Sequence, residues 1–192
     1  AQKLSLVRKK AFVKFSEQVL NLLRNIGLPH SGFTINHNEK TPDKSGIDSI
    51  EFLFSANSNM GLQPIHKVAS GGELSRLMLA IKYLISHSSG LPAIIFDEID
   101  TGVSGEIADM VGNLIKEMSG NMQVINITHL PQVASKGDHH YLVFKQTENG
   151  ESKTRIKELS NTERLQEIAK MLSGDTVSDE AIENARVLLK SN

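Results

Sequence analysis

The chain has no cysteine, no tryptophan and no long hydrophobic run. Without cysteine there can be neither a disulfide framework nor a thiolate metal site, which suits a reducing compartment. The apolar stretches are all much shorter than the roughly 18 residues that cross a bilayer, and the first residues do not form the apolar core of a signal peptide. We therefore expect a cytoplasmic protein without a membrane partner.

Neither sign of charge dominates. The formal net charge of −1 at pH 7 gives no bulk electrostatic reason to expect non-specific binding of nucleic acid. One local basic cluster, formed by Arg8, Lys9 and Lys10, is still compatible with a local contact to phosphate. The 192 residues are 39% hydrophobic and 22% charged, which is typical of a globular chain with one substantial core or two small ones.

The first 26 residues have the periodicity of a helix. Apolar side chains recur every three or four positions and predict a helix of about seven turns with a narrow apolar seam. The seam consists of Leu4, Val7, Ala11, Phe15, Val19, Leu22 and Ile26. Gly27 and Pro29 end the helix, and because no capping residue precedes it, we expect it to continue upstream of residue 1.

Two short strands and a second helix come next in the prediction. Residues 33–36 and 50–55 have the composition of strands, and the polar stretch 38–48 between them predicts a loop. A further loop, 57–64, leads to the sequence SGGE at residues 70–73. An amphipathic helix follows this sequence and is expected to end near residues 87–90.

Residues 93–127 form a strand–helix–strand pattern. The runs 93–96 and 124–127 are continuously apolar, which predicts strands buried on both faces of a parallel sheet. Ser104 can cap the helix between them. Parallel sheets bind ligands at the carboxyl ends of their strands, and the pairs Asp97-Glu98 and Thr128-His129 follow these two strands. Both pairs are therefore expected at one edge of the sheet.

The C-terminal part predicts an antiparallel hairpin and two capped helices. Residues 140–145 and 154–157 have the pattern of strands on either side of the turn-like sequence ENGES. Asp138, His139 and His140 precede the hairpin and suggest a metal cluster. That suggestion is weak, because neighbouring residues on a strand point to opposite faces.

The sequence SGGE has two interpretations that are compatible with each other. Ser70 and Glu73 have the spacing of a capping box, in which each side chain bonds the other residue's backbone N–H. A helix that begins with Gly71 and Gly72 also offers unpaired N–H groups to an anion, at the positive end of the helix dipole.

Asp97, Glu98 and His129 are the candidate catalytic group. Two adjacent carboxylates after a buried strand are costly unless they are solvated, paired or bound to a cation. Either they simply reach solvent, or Asp97 binds Mg²⁺ and Glu98 acts on water as a general base. His129 is either structural or placed to hydrogen-bond a transferring phosphate.

The order of these motifs along the chain is more specific than any one of them. The chain resembles the second half of an ABC-type ATPase head, with the signature SGGE, the Walker B sequence IIFDE, the D-loop IDTG and the H-loop TH. It is more closely similar to the RecN family of DNA repair proteins, which are relatives of the SMC proteins. That similarity lies in PIHKVASGGELSRLMLAIK, PAIIFDEIDTGVSG and ITHLPQVA, and in the flanking FTIN, IEFLFSAN and RLQEIAKMLSG.

The resemblance implies an α/β fold, the C-terminal lobe of an ABC-type ATPase head. A mostly parallel sheet would be flanked by helices, with a coiled-coil-base helix at the N-terminus and a hairpin plus helices at the C-terminus. Because a long coiled coil splits such heads, residues 1–28 would form the base of the returning arm and residues 29–192 the C-terminal lobe.

A phosphate-binding P-loop is not found in this sequence. The P-loop pattern G-x-x-x-x-G-K followed by Ser or Thr does not occur, nor does the dipeptide Gly-Lys. The resemblance implies that a separate N-terminal lobe supplies it. We therefore expect this fragment alone to be inactive.

The resemblance also implies roles for particular residues, since two heads of this family enclose two ATP molecules. Asp97 would bind Mg²⁺, and Glu98 and His129 would be catalytic toward the ATP of their own head. The ATP-binding residues would be Ser70, Gly71, Gly72, Glu73 and Asp100, of which the first three would face the ATP of the partner head.

The implied function is ATP hydrolysis by the full-length protein in DNA double-strand break repair and recombination, with head dimerisation coupled to the holding of DNA. Its partners would be its own N-terminal lobe, a second head, and double-stranded DNA or DNA ends at the nucleoid. The alternative is a DNA-tethering or scaffold module of another SMC-like protein, which docks partners rather than hydrolysing ATP. Only the cluster of Arg8, Lys9 and Lys10 supports that alternative.

Overall fold

The computed structural model describes residues 1–68, 70–87, 90–148 and 151–190. The helices are α1 Gln2–Asn25, α2 Gly71–Ser86, α3 Gly105–Ser119, α4 Pro131–Ala134, α5 Asn161–Ser173 and α6 Asp179–Lys190. The strands are β1 Gly32–Asp43, β2 Gly46–Ser55, β3 Gln63–Pro64, β4 Ala93–Asp97, β5 Gln123–Ile127, β6 Tyr141–Glu148 and β7 Glu151–Glu158. Ala69, the predicted helix end at Ser88 and Ser89, and the predicted turn at Asn149 and Gly150 lie outside the described residues.

The strands form three small sheets. β1, β2 and β3 are antiparallel, β4 and β5 are parallel, and β6 and β7 form an antiparallel hairpin. α3 connects the two parallel strands, so the predicted strand–helix–strand unit is confirmed. The α/β fold with a parallel sheet and flanking helices is confirmed as well.

The first helix is present as predicted, but only part of its apolar seam is buried. Val19 and Ile26 lie in the core, whereas Leu4 and Val7 are exposed. The buried position near the N-terminus belongs to Ser5, because this end of α1 contacts a polar part of the β1–β2 hairpin. The seam prediction is therefore wrong for the first two turns.

The stretch 38–48 is not the loop that its composition predicts. β1 and β2 pair almost continuously from Gly32 opposite Ser55 to Asp43 opposite Gly46, with one irregularity between Glu39 and Asp43. Polar residues suit these strands because this part of the hairpin is largely exposed. The turn is tight, since the Asp43 carboxylate accepts hydrogen bonds from the Ser45 N–H and hydroxyl, both at 2.7 Å.

One large core joins α1, the β1–β2 hairpin, α2, β4 and α3. Its fully buried side chains include Leu23, Phe54, Leu77 and Val111, each of which contributes about 1.5–3 kcal/mol on burial. A smaller cluster around Ile168 joins α5 to α6. Among the described residues, no helix is both long and apolar enough to cross a membrane.

Within the described ranges, the parallel sheet is covered on one face only. Ile95 lies opposite Ile125, and Ile127 shares their face because side chains alternate along a strand. These three side chains are 65%, 45% and 51% exposed. The prediction that both strands are buried on both faces is therefore wrong for this chain. Parallel sheets are almost always covered on both sides, so this bare face is a surface on which a further layer can pack.

Four serines directly precede helices among the described residues, and they cap them differently. Ser178 precedes α6, and its hydroxyl accepts the Ala181 N–H at 3.2 Å. Ser160 and Glu163 form a complete capping box at the start of α5. Ser70 precedes α2 and Ser104 precedes α3, but neither side chain accepts a capping hydrogen bond. The predicted capping box of Ser70 and Glu73 is therefore wrong, as is side-chain capping by Ser104. Ser70 is exposed, and water can satisfy its hydroxyl in place of the helix backbone.

Candidate functional site

The carboxyl ends of β4 and β5 bring the candidate catalytic residues to one edge. Asp97 lies opposite Ile127 in the parallel register, and the Glu98 N–H donates to the Ile127 carbonyl at 3.1 Å. His129 follows two residues after Ile127. Asp97, Glu98 and His129 are all exposed at this edge, so the expectation that both polar pairs lie at one edge of the sheet is confirmed, whereas their catalytic roles stay predictions.

Glu98 has an unusual backbone conformation. Its φ of 51° lies in the left-handed region, where a residue other than glycine is destabilised by about 1–2 kcal/mol. Three hydrogen bonds hold it there. Its N–H bonds the Ile127 carbonyl, and its own carbonyl accepts from the Thr101 N–H at 3.1 Å and the Thr101 hydroxyl at 2.7 Å. The strained backbone fixes where the carboxylate leaves the strand, a feature that the sequence did not reveal.

Asp100 lies inside the protein rather than at the exposed edge. Its residue surface is only 1% exposed, and its Oδ2 accepts a hydrogen bond from the Thr128 hydroxyl. The Thr128 oxygen in turn accepts from the Leu130 N–H at 2.9 Å. The other carboxylate oxygen, Oδ1, is buried without a hydrogen-bond partner among the described residues. Binding of ATP by Asp100 stays a prediction.

The N-terminus of α2 contacts the turn that follows β4. A Cβ added at Gly72 would lie 2.9 Å from the Thr101 carbonyl oxygen and 3.6 Å from the Gly102 Cα. A Cβ at Gly71 would meet nothing within 4 Å. The two glycines therefore differ, because Gly72 allows a close backbone approach whereas Gly71 opens the helix end to solvent. This contact joins the SGGE segment to the turn that carries Glu98.

The first turn of α2 is chemically suited to an anion. Its backbone N–H groups have no intrahelical acceptors, and the Ser70 side chain does not fill that role. The helix is 16 residues long, so its dipole places partial positive charge at this end. Glu73, in the same turn, brings a negative charge that opposes an approaching anion. The predicted ATP contacts of Ser70, Gly71, Gly72 and Glu73 stay predictions.

Asp97 is the one predicted metal ligand at this edge. In the part of the chain that the structure describes, no three His, Asp or Glu side chains are grouped to hold a metal ion. Mg²⁺ is commonly bound by one or two carboxylates together with phosphate oxygens and water. A single exposed carboxylate at a strand end fits that mode of binding.

The weak suggestion of a metal cluster before the hairpin gains no support. The Asp138 carboxylate pairs with Lys116, whose hydrogen bond lowers the pKa of Asp138. His139 Nδ1 lies 2.8 Å from Glu158 Oε1. His140 is half-buried, and burial lowers its pKa. Each side chain thus has a separate environment.

A groove of about 350 Å³ runs along the second edge of β5. Its walls come from α3, β5, α4 and the start of β6, and they include Ile125, Asn126 and Tyr141. The side-chain amide of Asn126 is buried and has no hydrogen-bond partner for its nitrogen or its oxygen among the described residues. β5 pairs with β4 alone among the described strands, so its backbone on this side can accept another strand.

Comparisons with known sequences place the chain beside one group of proteins, although no protein-family model matches it. It is 39% identical over 206 aligned residues to the DNA repair protein RecN of Bacillus subtilis, covering 99% of the chain and 36% of that protein. It is 42% identical over 184 residues to RecN of Rickettsia bellii, covering 95% of the chain and 34% of the relative. The chain thus spans about a third of the length of these relatives.

Solved structures agree on the fold. The Smc head domain with a coiled coil and joint from Pyrococcus yayanosii has a TM-score of 0.61 at 22% identity, covering 83% of this chain and 29% of that one. An Smc head bound to the C-winged helix domain of ScpA has a TM-score of 0.57 at 24% identity, covering 84% and 48%. An SMC ATPase studied for ATP-driven dimerisation and DNA-stimulated activation has a TM-score of 0.55 at 20% identity, covering 88% and 98%.

Proposed function

This chain is a RecN-like sequence with the fold of an SMC head, and from that premise we propose that it is the C-terminal half of an ATP-hydrolysing head in a DNA repair protein. The proposal depends on the position of Asp97, Glu98 and His129 at the same edge of the parallel sheet, where the turn after β4 also contacts the N-terminus of α2. The domain division at residue 28 belongs to the same proposal, with α1 as the base of a coiled-coil arm.

The proposed chemistry is in-line attack of water on a phosphoryl group. Glu98 orients the water and takes up its proton, since its carboxylate is exposed while its backbone is held by three hydrogen bonds. His129, at the end of the neighbouring strand, donates a hydrogen bond to the transferring phosphate. Asp97 is the residue that would hold Mg²⁺, which when bound neutralises charge that develops on the phosphate oxygens.

The N-terminus of α2 serves a second nucleotide in this proposal. Ser70, Gly71 and Gly72 face the ATP of a partner head, where free N–H groups and the helix dipole favour phosphate. Gly71 is the residue best placed for a close approach, because no atom lies near the position of its missing Cβ. ATP-driven engagement of two heads would thus complete two sites, each with residues from both copies.

The N-terminal lobe of the same protein is the proposed cover for the bare sheet face. Ile95, Ile125 and Ile127 supply an apolar surface for it. The second edge of β5, which has no partner strand among the described residues, supplies backbone hydrogen-bonding groups beside that surface. In the proposal this lobe carries the P-loop, so the chain alone does not turn over ATP.

In the full-length protein, head closure would control how double-stranded DNA or DNA ends are held during double-strand break repair and recombination. A protein with this role acts at the nucleoid in the cytoplasm. The alternative, a DNA-tethering module, depended on the basic cluster of Arg8, Lys9 and Lys10. Two of these residues lie near acidic side chains, which weakens that alternative. Arg8 pairs with Asp48 at 2.7 Å, and Lys9 lies 3.8 Å from Glu39.

Replacing the proposed base tests this function directly. In the full-length protein, Glu98→Gln should lower ATP turnover by about 100-fold or more, because the amide cannot accept the proton from water. ATP should still bind, and ATP-bound dimers should accumulate in size-exclusion chromatography. Glu106→Gln, an exposed change in the first turn of α3, should leave turnover near the wild-type value. Unchanged turnover in Glu98→Gln would remove Glu98 from the mechanism.

A further inference from the structure

Asp100 has a place in the structure that the proposed chemistry does not use. It follows Glu98 by two residues, but its side chain turns inward and its residue surface is only 1% exposed. Its Oδ2 accepts from the Thr128 hydroxyl, across the gap between the turn after β4 and the loop after β5. A buried carboxylate needs hydrogen bonds to replace its lost hydration. Among the described residues the Thr128 hydroxyl supplies one to Oδ2, whereas Oδ1 has none, so this contact joins the two segments through the buried carboxylate.

Further hydrogen bonds extend this connection to Leu130, the residue after His129. The Thr128 oxygen accepts the Leu130 N–H at 2.9 Å, and the Leu130 carbonyl then accepts N–H groups at the start of α4, from Val133 at 3.1 Å and Ala134 at 2.9 Å. His129 therefore lies between two residues that are joined by a hydrogen bond. Its backbone is held on both sides while its side chain is exposed.

The same turn also holds Glu98. The Thr101 N–H and hydroxyl both donate to the Glu98 carbonyl, and Thr101 is the neighbour of Asp100. Glu98 and His129 are thus attached to opposite ends of one hydrogen-bonded unit, with the Asp100–Thr128 contact at its centre. The bond from the Glu98 N–H to the Ile127 carbonyl holds the last residue of β5, and the Asp100–Thr128 contact holds the residues that follow it. Loss of that contact would let Thr128 and His129 move relative to Glu98.

We propose that Asp100 is a positioning residue for the hydrolysis reaction, which through Thr128 holds the His129 loop in register with Glu98. The proposal rests on the proposed ATPase function and differs from a role of Asp100 as a nucleotide ligand. A ligand must reach the nucleotide, whereas this carboxylate is buried and bonded to a residue of its own chain. Misplacement of a catalytic group by about 1 Å can slow a reaction about 100-fold.

Two pairs of variants in the full-length protein separate these roles. Asp100→Ala and Thr128→Val both remove the contact and should lower kcat by about 10- to 100-fold, with the KM for ATP within about threefold of wild type. Thr128→Ser keeps the hydroxyl and should stay close to wild type. Thr128→Val also removes the bond from the Leu130 N–H. The double variant Asp100→Ala/Thr128→Val should therefore be no worse than Thr128→Val alone, because that change already removes the Asp100 contact.

A second measurement does not depend on turnover. Hydrogen exchange of the segment 127–131, followed by mass spectrometry, should be faster in Asp100→Ala and Thr128→Val than in wild type and unchanged in Thr128→Ser. Asp138→Asn, which alters an exposed pair with Lys116, is the control for removing a carboxylate elsewhere. If Asp100→Ala does not fold, the Thr128 pair, which nearly conserves side-chain volume, gives the same comparison.

The outcomes are distinct. A KM for ATP raised more than about tenfold with kcat preserved would make Asp100 a ligand and overturn the proposal. Additive effects in the double variant, or unchanged exchange of segment 127–131, would also overturn it. If the wild-type protein hydrolyses no ATP, the proposed function fails, and the exchange comparison still decides whether Asp100 and Thr128 hold the His129 loop.

Discussion

Glu98 combines an exposed carboxylate with a backbone angle that few residues other than glycine adopt. Its φ of 51° is maintained by hydrogen bonds to Ile127 and Thr101. Strain of this kind persists where the surrounding structure over-determines it, and it is concentrated at functional sites. At Glu98 the strain orients the proposed base, so activity and stability should respond differently to its replacement.

A comparison of two small residues at this position measures that strain. Both Glu98→Gly and Glu98→Ala remove the carboxylate, but only glycine removes the Cβ that is crowded at positive φ. After allowance for the greater flexibility of glycine in the unfolded chain, Glu98→Gly should be more stable than Glu98→Ala by about 0.5–1 kcal/mol. Urea denaturation of both variants provides the test. Equal stability, or a more stable alanine variant, would contradict strain at Glu98.

At the scale of elements, the start of α2 packs closely against the turn after β4 because Gly72 has no side chain. Gly72→Ala would place a Cβ 2.9 Å from the Thr101 carbonyl oxygen, and the resulting displacement should destabilise the fold by about 1–3 kcal/mol. Gly71→Ala is the matched control, since nothing lies within 4 Å of its Cβ position. Denaturant unfolding of the two variants should differ accordingly, and equal free energies of unfolding would refute the close contact.

A second junction of elements depends on a buried carboxylate. Asp48 of β2 accepts a hydrogen bond from Arg8 Nη1 of α1 at 2.7 Å and bonds His37 Nε2 of β1, also at 2.7 Å. Hydrogen bonds from Ser5, His37 and Arg8 lower the pKa of Asp48 well below that of an ordinary aspartate. Folding therefore favours its ionised form, and this form ties the proposed arm helix to the hairpin.

The stability of this junction should depend on pH in a defined direction. Because the folded-state pKa is the lower one, the contribution of Asp48 is complete above about pH 5 and declines as the pH falls through the unfolded value near 4 toward the folded one. Asp48→Asn should lower the free energy of unfolding at neutral pH and flatten its fall in acid. Asp175→Asn, whose side chain is 94% exposed, is the control. Parallel pH profiles for wild type and Asp48→Asn would argue against the junction.

The sequence predicted these elements where local pattern decides them. The 3.6-residue period of α2 and α3 and the apolar runs of β4 and β5 depend on short-range spacing, and the parallel pairing follows from the helix between the strands. Residues 38–48 were mispredicted because exposed hairpins tolerate polar and turn-forming residues. The Ser70 capping box failed because a matching spacing does not ensure that the side chains bond. No local sequence pattern predicts the positive φ of Glu98 or the burial of the Asp100 side chain.

At the scale of the whole molecule, the feature that indicates a further layer is the exposed apolar face of the parallel sheet, which lies beside the second edge of β5. Ile95, Ile125 and Ile127 are each at least 45% exposed. Parallel strands are normally buried on both faces, and the apolar runs of β4 and β5 match that buried state rather than the one seen here. The sequences of β4 and β5 therefore suit strands that a second layer covers, and in the proposed function that layer is the N-terminal lobe.

Reconstitution of the ATP site is the most direct test of this account. The chain should be mixed with the separately expressed N-terminal lobe of its own protein, and Mg²⁺-dependent ATP hydrolysis measured for each part and for the mixture. We expect turnover in the mixture alone. Ile125→Asp on the bare face should abolish it, whereas Val187→Asp should preserve it, since Val187 is a residue of α6 that is 60% exposed. Hydrolysis by the chain alone, or equal activity with both aspartate variants, would contradict it.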